Sequence, residues 1–248
     1  MISVACIGGK APSVSRWQAS AIKVGPWLAV AGWSILWALP ATHGIAIILV
    51  RENGVFEFGT FAVALVGGIY GLALGLGETA MARRHRLVLG GLGLALFLFA
   101  MEEAAWGQHL FGFETPEFIR SLNAQGELTI HNLGYLQGTS EVPEFLISLA
   151  AVILLAAVRS GNPLRIPQVM WSLLALMVIL AVGDLTQDIL TRLSGAGDWF
   201  RVFRRYFNQV DELTELLIAV SGLLYLCLVV QQIRDHARRV AGADGTAG

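Results

Sequence analysis

The amino-acid sequence predicts an all-α integral membrane protein, a bundle of about six transmembrane helices with a re-entrant or interfacial outer segment. Three observations predict it. Hydrophobic side chains make up 55% of the 248 residues against 14% charged, with a mean hydropathy of +0.64, well outside the range of soluble globular domains. Apolar runs long enough to cross a bilayer recur along the chain. With those runs taken as spans, Lys and Arg gather on one side of the membrane.

A spanning helix needs about 20 mostly apolar residues. The runs that qualify are 27–50, 55–77, 87–108, 143–158, 169–188 and 210–230, within a single domain over 1–239. Pro40 should kink the first span or end it early. The second and third, with GGIYGLALGLG and GGLGLAL, have a composition that lets helix backbones approach closely. Between the last two spans, DWFRVFRRYF interleaves aromatic residues with Arg201, Arg204 and Arg205, the pattern of a helix lying at the interface. The tail 240–248 is small and polar and is expected to be disordered. Cys6 and Cys227 show no metal-ligand spacing and read as structural. The segment before Lys10 lacks an apolar core of signal-peptide length, so the first span is expected to be retained.

Orientation follows from the basic residues of short loops. Of the 17 Lys and Arg, all but Arg51, Arg120, Arg192, Arg201, Arg204 and Arg205 fall on the side of the termini. Both termini are therefore expected in the cytoplasm, with the chain a multi-pass protein of the bacterial inner (plasma) membrane. Of the 18 acids, only Glu78, Asp235 and Asp244 belong to that cytoplasmic side, so function is expected to face outward. Nothing basic is patterned for nucleic acid, and membrane lipid is the expected partner.

Counting apolar residues from the cytoplasmic end of each span places Glu102, Glu144, Asp184 and Glu215 roughly 21 to 23 Å deep, in one layer. Ionisable groups inside a bilayer cost about 2.5–3.5 kcal/mol each at a helix centre, so such a layer calls for mutual satisfaction or a ligand. The densest reactive stretch is 101–132, MEEAAWGQHLFGFETPEFIRSLNAQGELTIHN. Glu102 and His109 are seven apart and share a helix face, about 10 Å from each other along the axis, whereas Glu102 and Glu103 diverge by about 100°.

These residues could hold a divalent metal through Glu102, His109, His131, Glu144, Asp184 and Glu215. Catalytic acid/base roles would fall to Glu102, Glu103, His131 and Asp184, and substrate contacts to Trp106, Gln108, Asn132, Arg204 and Arg205. The expected activity is metal-dependent chemistry on a lipid-linked or amphiphilic substrate. A non-catalytic subunit of a larger membrane complex and a cation- or proton-coupled transporter are the alternatives. A purely structural polar network, with the acids paired to arginines, competes with all three. No P-loop, HExxH or GxGxxG occurs, and Ser140, Ser148 and Ser194 lack a GxSxG context. His43, His85 and His236 read as solvent-facing or interfacial.

The run EEAAWGQ, then GFETPEF, NAQGEL and HN, resembles the signature of a family of uncharacterised bacterial polytopic membrane proteins. In that signature a Glu-Glu pair, Trp-Gly-Gln, Thr-Pro-Glu, Gln-Gly-Glu and His-Asn follow in order. The resemblance implies a multi-spanning helical fold and no particular activity. Its residues here are Glu102, Glu103, Trp106, Gly107, Gln108, Thr115, Pro116, Glu117, Asn123, Gln125, Glu127, His131 and Asn132. His109 stands where the family often has Arg, so His131 is the favoured histidine ligand. A zinc site of the membrane ceramidase-like type needs three histidines, and only His109 and His131 are suitably placed.

Overall fold

Helix starts and stops along this chain follow local chemistry, and their packing then decides which polar groups meet. The computed structural model describes residues 14–51, 54–79, 81–123, 128–129, 162–193 and 198–244. These are overwhelmingly helical, with no strand among them. The helices are α1 (Arg16–Ala38), α2 (His43–Val50), α3 (Val55–Gly77), α4 (Arg83–Glu103), the short α5 (Gln108–Phe111) and α6 (Glu117–Arg120), α7 (Trp171–Leu193) and α8 (Asp198–Asp244). Among the described residues five segments are long and apolar enough to cross a membrane: Arg16–Ala38, His43–Gly77, Arg83–Glu103, Gln168–Gln187 and Phe200–Arg239. The expected span 143–158 lies outside the described residues.

The first helix starts earlier than hydropathy indicated, because Ser15 and Gln18 form a reciprocal capping box that satisfies its free N–H groups. It runs through Pro26 and stops at Ala38, before Pro40, as the proline rule requires. The break is held by Thr42 Oγ1 donating to Leu36 O at 2.9 Å and by His43 Nδ1 lying 2.6 Å from Trp37 O. His43 is thus half-buried against Trp37 rather than solvent-facing.

Glycine decides the tightest contact. Where α3 crosses α4 antiparallel, Gly68 lies on Phe97, Gly71 on Gly93 and Gly75 on Gly90, and a Cβ at Gly71 would fall 2.6 Å from the Gly93 Cα. The backbones therefore touch, as the composition of these two helices allows. Arg86 closes the far end, its guanidinium donating to Gly75 O at 3.1 Å and Leu76 O at 3.2 Å. These are carbonyls that the end of α3 leaves open.

Helix α8 runs parallel to α3, with Leu216 beside Gly59 and Leu223 beside Gly67, and Leu96 of α4 wedges between Gly67 and Gly222. On its other side α8 meets α7 and α1 through Val210, Leu213 and Leu217, which pack with Leu173, Leu176, Leu180, Val30 and Trp33. Ser172 clamps α1 to α7, accepting from Trp27 Nε1 at 3.0 Å and donating to Lys23 O at 2.7 Å. Tyr225 and Gln232 of α8 pin the segment before α7 by donating to Leu164 O at 2.7 Å and Arg165 O at 3.1 Å.

Two sequence expectations for this helix change. The aromatic–arginine segment forms no separate interfacial helix, because helical backbone continues from Asp198 into the apolar run and its aromatics join the core. Helix also persists to Asp244, past the point after Arg239 where composition predicted disorder. His85 is corrected as well: only 7% of it is exposed, since it sits on the α4 stripe with Leu89, Gly93 and Leu96.

Candidate functional site

The site expected around 101–132 begins where α4 stops. That helix was expected to continue to Gln108, but it ends at Glu103 because the chain enters the left-handed region at Ala105 (φ 43°), Trp106 (φ 55°) and Gly107 (φ 89°). Glycine adopts this freely; alanine and tryptophan do so at a cost of about 1–3 kcal/mol each, so surrounding contacts must enforce the turn. One is Gly107 N–H donating to Ala104 O at 2.8 Å, and another is Trp106 Nε1 donating to Glu102 at 2.7 Å. The break removes the shared helix face expected for Glu102 and His109. The backbone of His109 lies in α5, and its side chain is outside the described set.

Gln108 holds the segment beyond the turn. Its amide N–H donates to Thr115 Oγ1 at 2.8 Å, and its carbonyl accepts from Leu128 N–H at 2.9 Å. Asn123, buried, donates to Thr129 O at 2.9 Å and Oγ1 at 3.1 Å. Gln108, Thr115 and Asn123, three positions of the sequence signature, are therefore the ties of this loop. Gln108 was expected to contact substrate, yet both ends of its amide are engaged within the protein.

The helices beneath place the carboxylates. Ala64, Ala100 and Ala219 bury together where α3, α4 and α8 meet. One turn further toward the acidic end the corresponding positions are Thr60, Ala104 and Glu215, since residues four apart share a helix face. Glu103 lies three residues after Ala100 and so falls on the same side of α4. Glu102, two residues after Ala100, is rotated about 200° away and bonds instead to exposed Trp106. Height agrees: from the Leu96–Gly222 contact, Glu103 and Glu215 are each about two turns on.

Asp184 shares the height but not the face. The Ser221 hydroxyl donates to Met177 Sδ at 3.0 Å, and about two turns beyond that contact lie Asp184 on α7 and Thr214 on α8. Asp184 continues the α7 stripe of Leu173, Leu176 and Leu180, facing Leu213 and Leu217, and it accepts from Gln187 Nε2 at 3.4 Å. Glu215 lies about 200° around α8 from Leu217. The body of α8 thus stands between the two carboxylates.

Helix periodicity thus puts Glu103 of α4, Glu215 of α8 and Thr60 of α3 on the sides of their helices that carry the buried alanines, with Asp211 one turn from Glu215 and Glu57 one turn from Thr60, and Glu212 on the neighbouring position of α8. Each of these carboxylates is half-buried. Thr60 is fully buried, and its hydroxyl has no hydrogen-bond partner among the described residues. Sequence reading overlooked Thr60 and Glu57. Their signal was the spacing Thr60, Ala64, Gly67, Gly71, which puts a hydroxyl on the same stripe as the close-packing residues. Arg204 and Arg205 are exposed, seven residues before Asp211 and Glu212, and hence on the same face of α8 nearer its start.

Among the described residues no three His, Cys, Asp or Glu side chains form a group that could hold a metal ion. His131, Asn132 and Glu144 lie outside that set. Among the described residues the fold is all-helical, with five helical segments long and apolar enough to cross a membrane. No protein-family model, curated protein or solved structure matches it.

Proposed function

We propose that this chain is a multi-pass protein of the bacterial inner membrane, with cytoplasmic termini and an outward-facing pocket between α3, α4 and α8. The pocket binds a divalent metal and acts on a lipid-linked or other amphiphilic substrate. Glu103 and Glu215 are its inward carboxylates, His131 is the nitrogen ligand, and Arg204 and Arg205 receive an anionic group of the substrate. Glu102, held by Trp106, orients the turn that carries the loop over the pocket. Asp184 belongs to a separate polar contact with Gln187.

What supports this reading is the burial of Ala64, Ala100 and Ala219 together where three helices meet, since Glu103 and Glu215 lie about one turn beyond Ala100 and Ala219 on the same sides of α4 and α8. Carboxylates that share a poorly hydrated site need a cation, a proton or a paired base to occupy it together. Elemental analysis of purified protein tests the metal. Wild type is expected to carry a divalent ion that both Glu103→Gln and His131→Ala lose, each with lower thermal stability. No ion in wild type, or retention in both variants, sinks the assignment.

A further inference from the structure

The opposite, basic end of the bundle carries a second cluster of charged side chains that the acidic pocket does not use. Arg83 and Arg84 open α4, while α8 presents Arg234, His236, Arg238 and Arg239, all of them exposed. These residues are far apart in sequence, yet three contacts bring them to one rim. Arg234 Nη2 lies 3.7 Å from Glu78 Oε2 in the connection that leads into α4. Met81 of the same connection and Ile233 of α8 bury in one core cluster. His85 lies close enough to Arg84 and His236 for their charges to act on it.

The local acids, Glu78 and half-buried Asp235, are too few to balance this rim. Immediately beyond it the surface turns apolar. Leu87 is 66% exposed and Val88 42%, each one turn from Arg83 and Arg84 on the same helix face, and Leu76 at the end of α3 is 79% exposed. A soluble anion would engage only the arginines, whereas a molecule with an anionic head and apolar tails matches both surfaces.

We infer that the rim of Arg83, Arg84, Arg234 and Arg238 is a binding site for the headgroup phosphate of an anionic phospholipid, whose acyl chains lie along Leu87, Val88 and Leu76. This rests on the membrane reading proposed above and is independent of the chemistry assigned to the acidic pocket. Juxtamembrane basic clusters attract anionic lipid by about a factor of five per residue, so removing two should weaken binding about thirtyfold.

The test reconstitutes the full chain into vesicles of phosphatidylcholine with and without phosphatidylglycerol, then counts retained phosphatidylglycerol by native mass spectrometry. Wild type and an Arg51→Gln/Arg120→Gln control, two exposed arginines of the opposite end, should retain it equally. An Arg84→Gln/Arg238→Gln variant of native helical content should lose it about thirtyfold, and Arg84→Lys/Arg238→Lys should keep most of it. Unchanged retention in the glutamine variant overturns the site, as does displacement of the lipid by millimolar inorganic phosphate, which would mark a free-anion site. A chain that fails to enter phosphatidylcholine vesicles sinks the membrane reading; one that enters them without preferring phosphatidylglycerol sinks only this inference.

Discussion

Two side chains show how much a single residue decides here. A methyl group on Gly71 would meet the Gly93 backbone at 2.6 Å, and backbone cannot step aside as a rotamer can. Gly71→Ala should therefore cost about 1–3 kcal/mol and lower the unfolding temperature in detergent. Gly91, two residues from that contact but with nothing within 4 Å of its own Cβ position, makes the control. Gly91→Ala should be neutral or stabilising by up to about 1 kcal/mol, because alanine is the better helix former. Equal effects at the two positions would refute the close crossing. Gln108 decides the loop in the same way. Gln108→Ala strands Thr115 Oγ1 and Leu128 N–H, at about 1–3 kcal/mol of local stability, and should speed proteolytic cleavage between 108 and 129.

Among the elements, α8 does most to determine which polar groups can cooperate. One side of it, with Val210, Leu213 and Leu217, packs on α1 and α7; the other, with Ala219 and Gly222, packs on α3 and α4, and Glu215 lies one turn from Ala219 on that side. Carboxylates at one height are thereby sorted into two environments. Double-mutant cycles should show it. Glu103→Gln and Glu215→Gln should couple by about 0.5–3 kcal/mol in stability, whereas Asp184→Asn and Glu215→Gln should add within about 0.5 kcal/mol. A larger coupling for the Asp184 pair would place both acids in one pocket. The short turn after α4 matters at this scale too, since it replaces a last helical turn with the left-handed bend that carries the Gln108 loop.

Across the whole molecule, charge polarises the bundle: acids crowd the end where α4 stops, and arginines crowd the end where it starts. If that polarity reports orientation, a membrane-impermeant thiol reagent should distinguish the ends in a Cys6→Ser/Cys227→Ser background. Ser121→Cys, exposed beyond α4, should label on intact spheroplasts, and Thr246→Cys only after the membrane is opened. The reverse pattern would invert the topology and move the acidic pocket to the cytoplasmic side.

Helical class, and the relative height of Glu102, Asp184 and Glu215 along their helices, were legible in the residues alone, because hydropathy and a rise of about 1.5 Å per residue are local properties. The glycine runs of α3 and α4 likewise announced a composition fit for close packing. Three things were not legible. The stop of α4 at Glu103 depends on left-handed conformations at Ala105 and Trp106, which neither residue type favours by itself. The merger of the aromatic–arginine segment into α8 depends on Tyr206 and Phe207 finding Trp33, Trp37 and the α7 surface, including Gly183. The separation of Asp184 from Glu215 depends on azimuth, which hydropathy counts do not carry. The sequence determined how deep each polar group lies along its helix; only the packing of α8 between its neighbours decided which of them share a site, since rotation about a helix axis is set by partners and not by the chain itself.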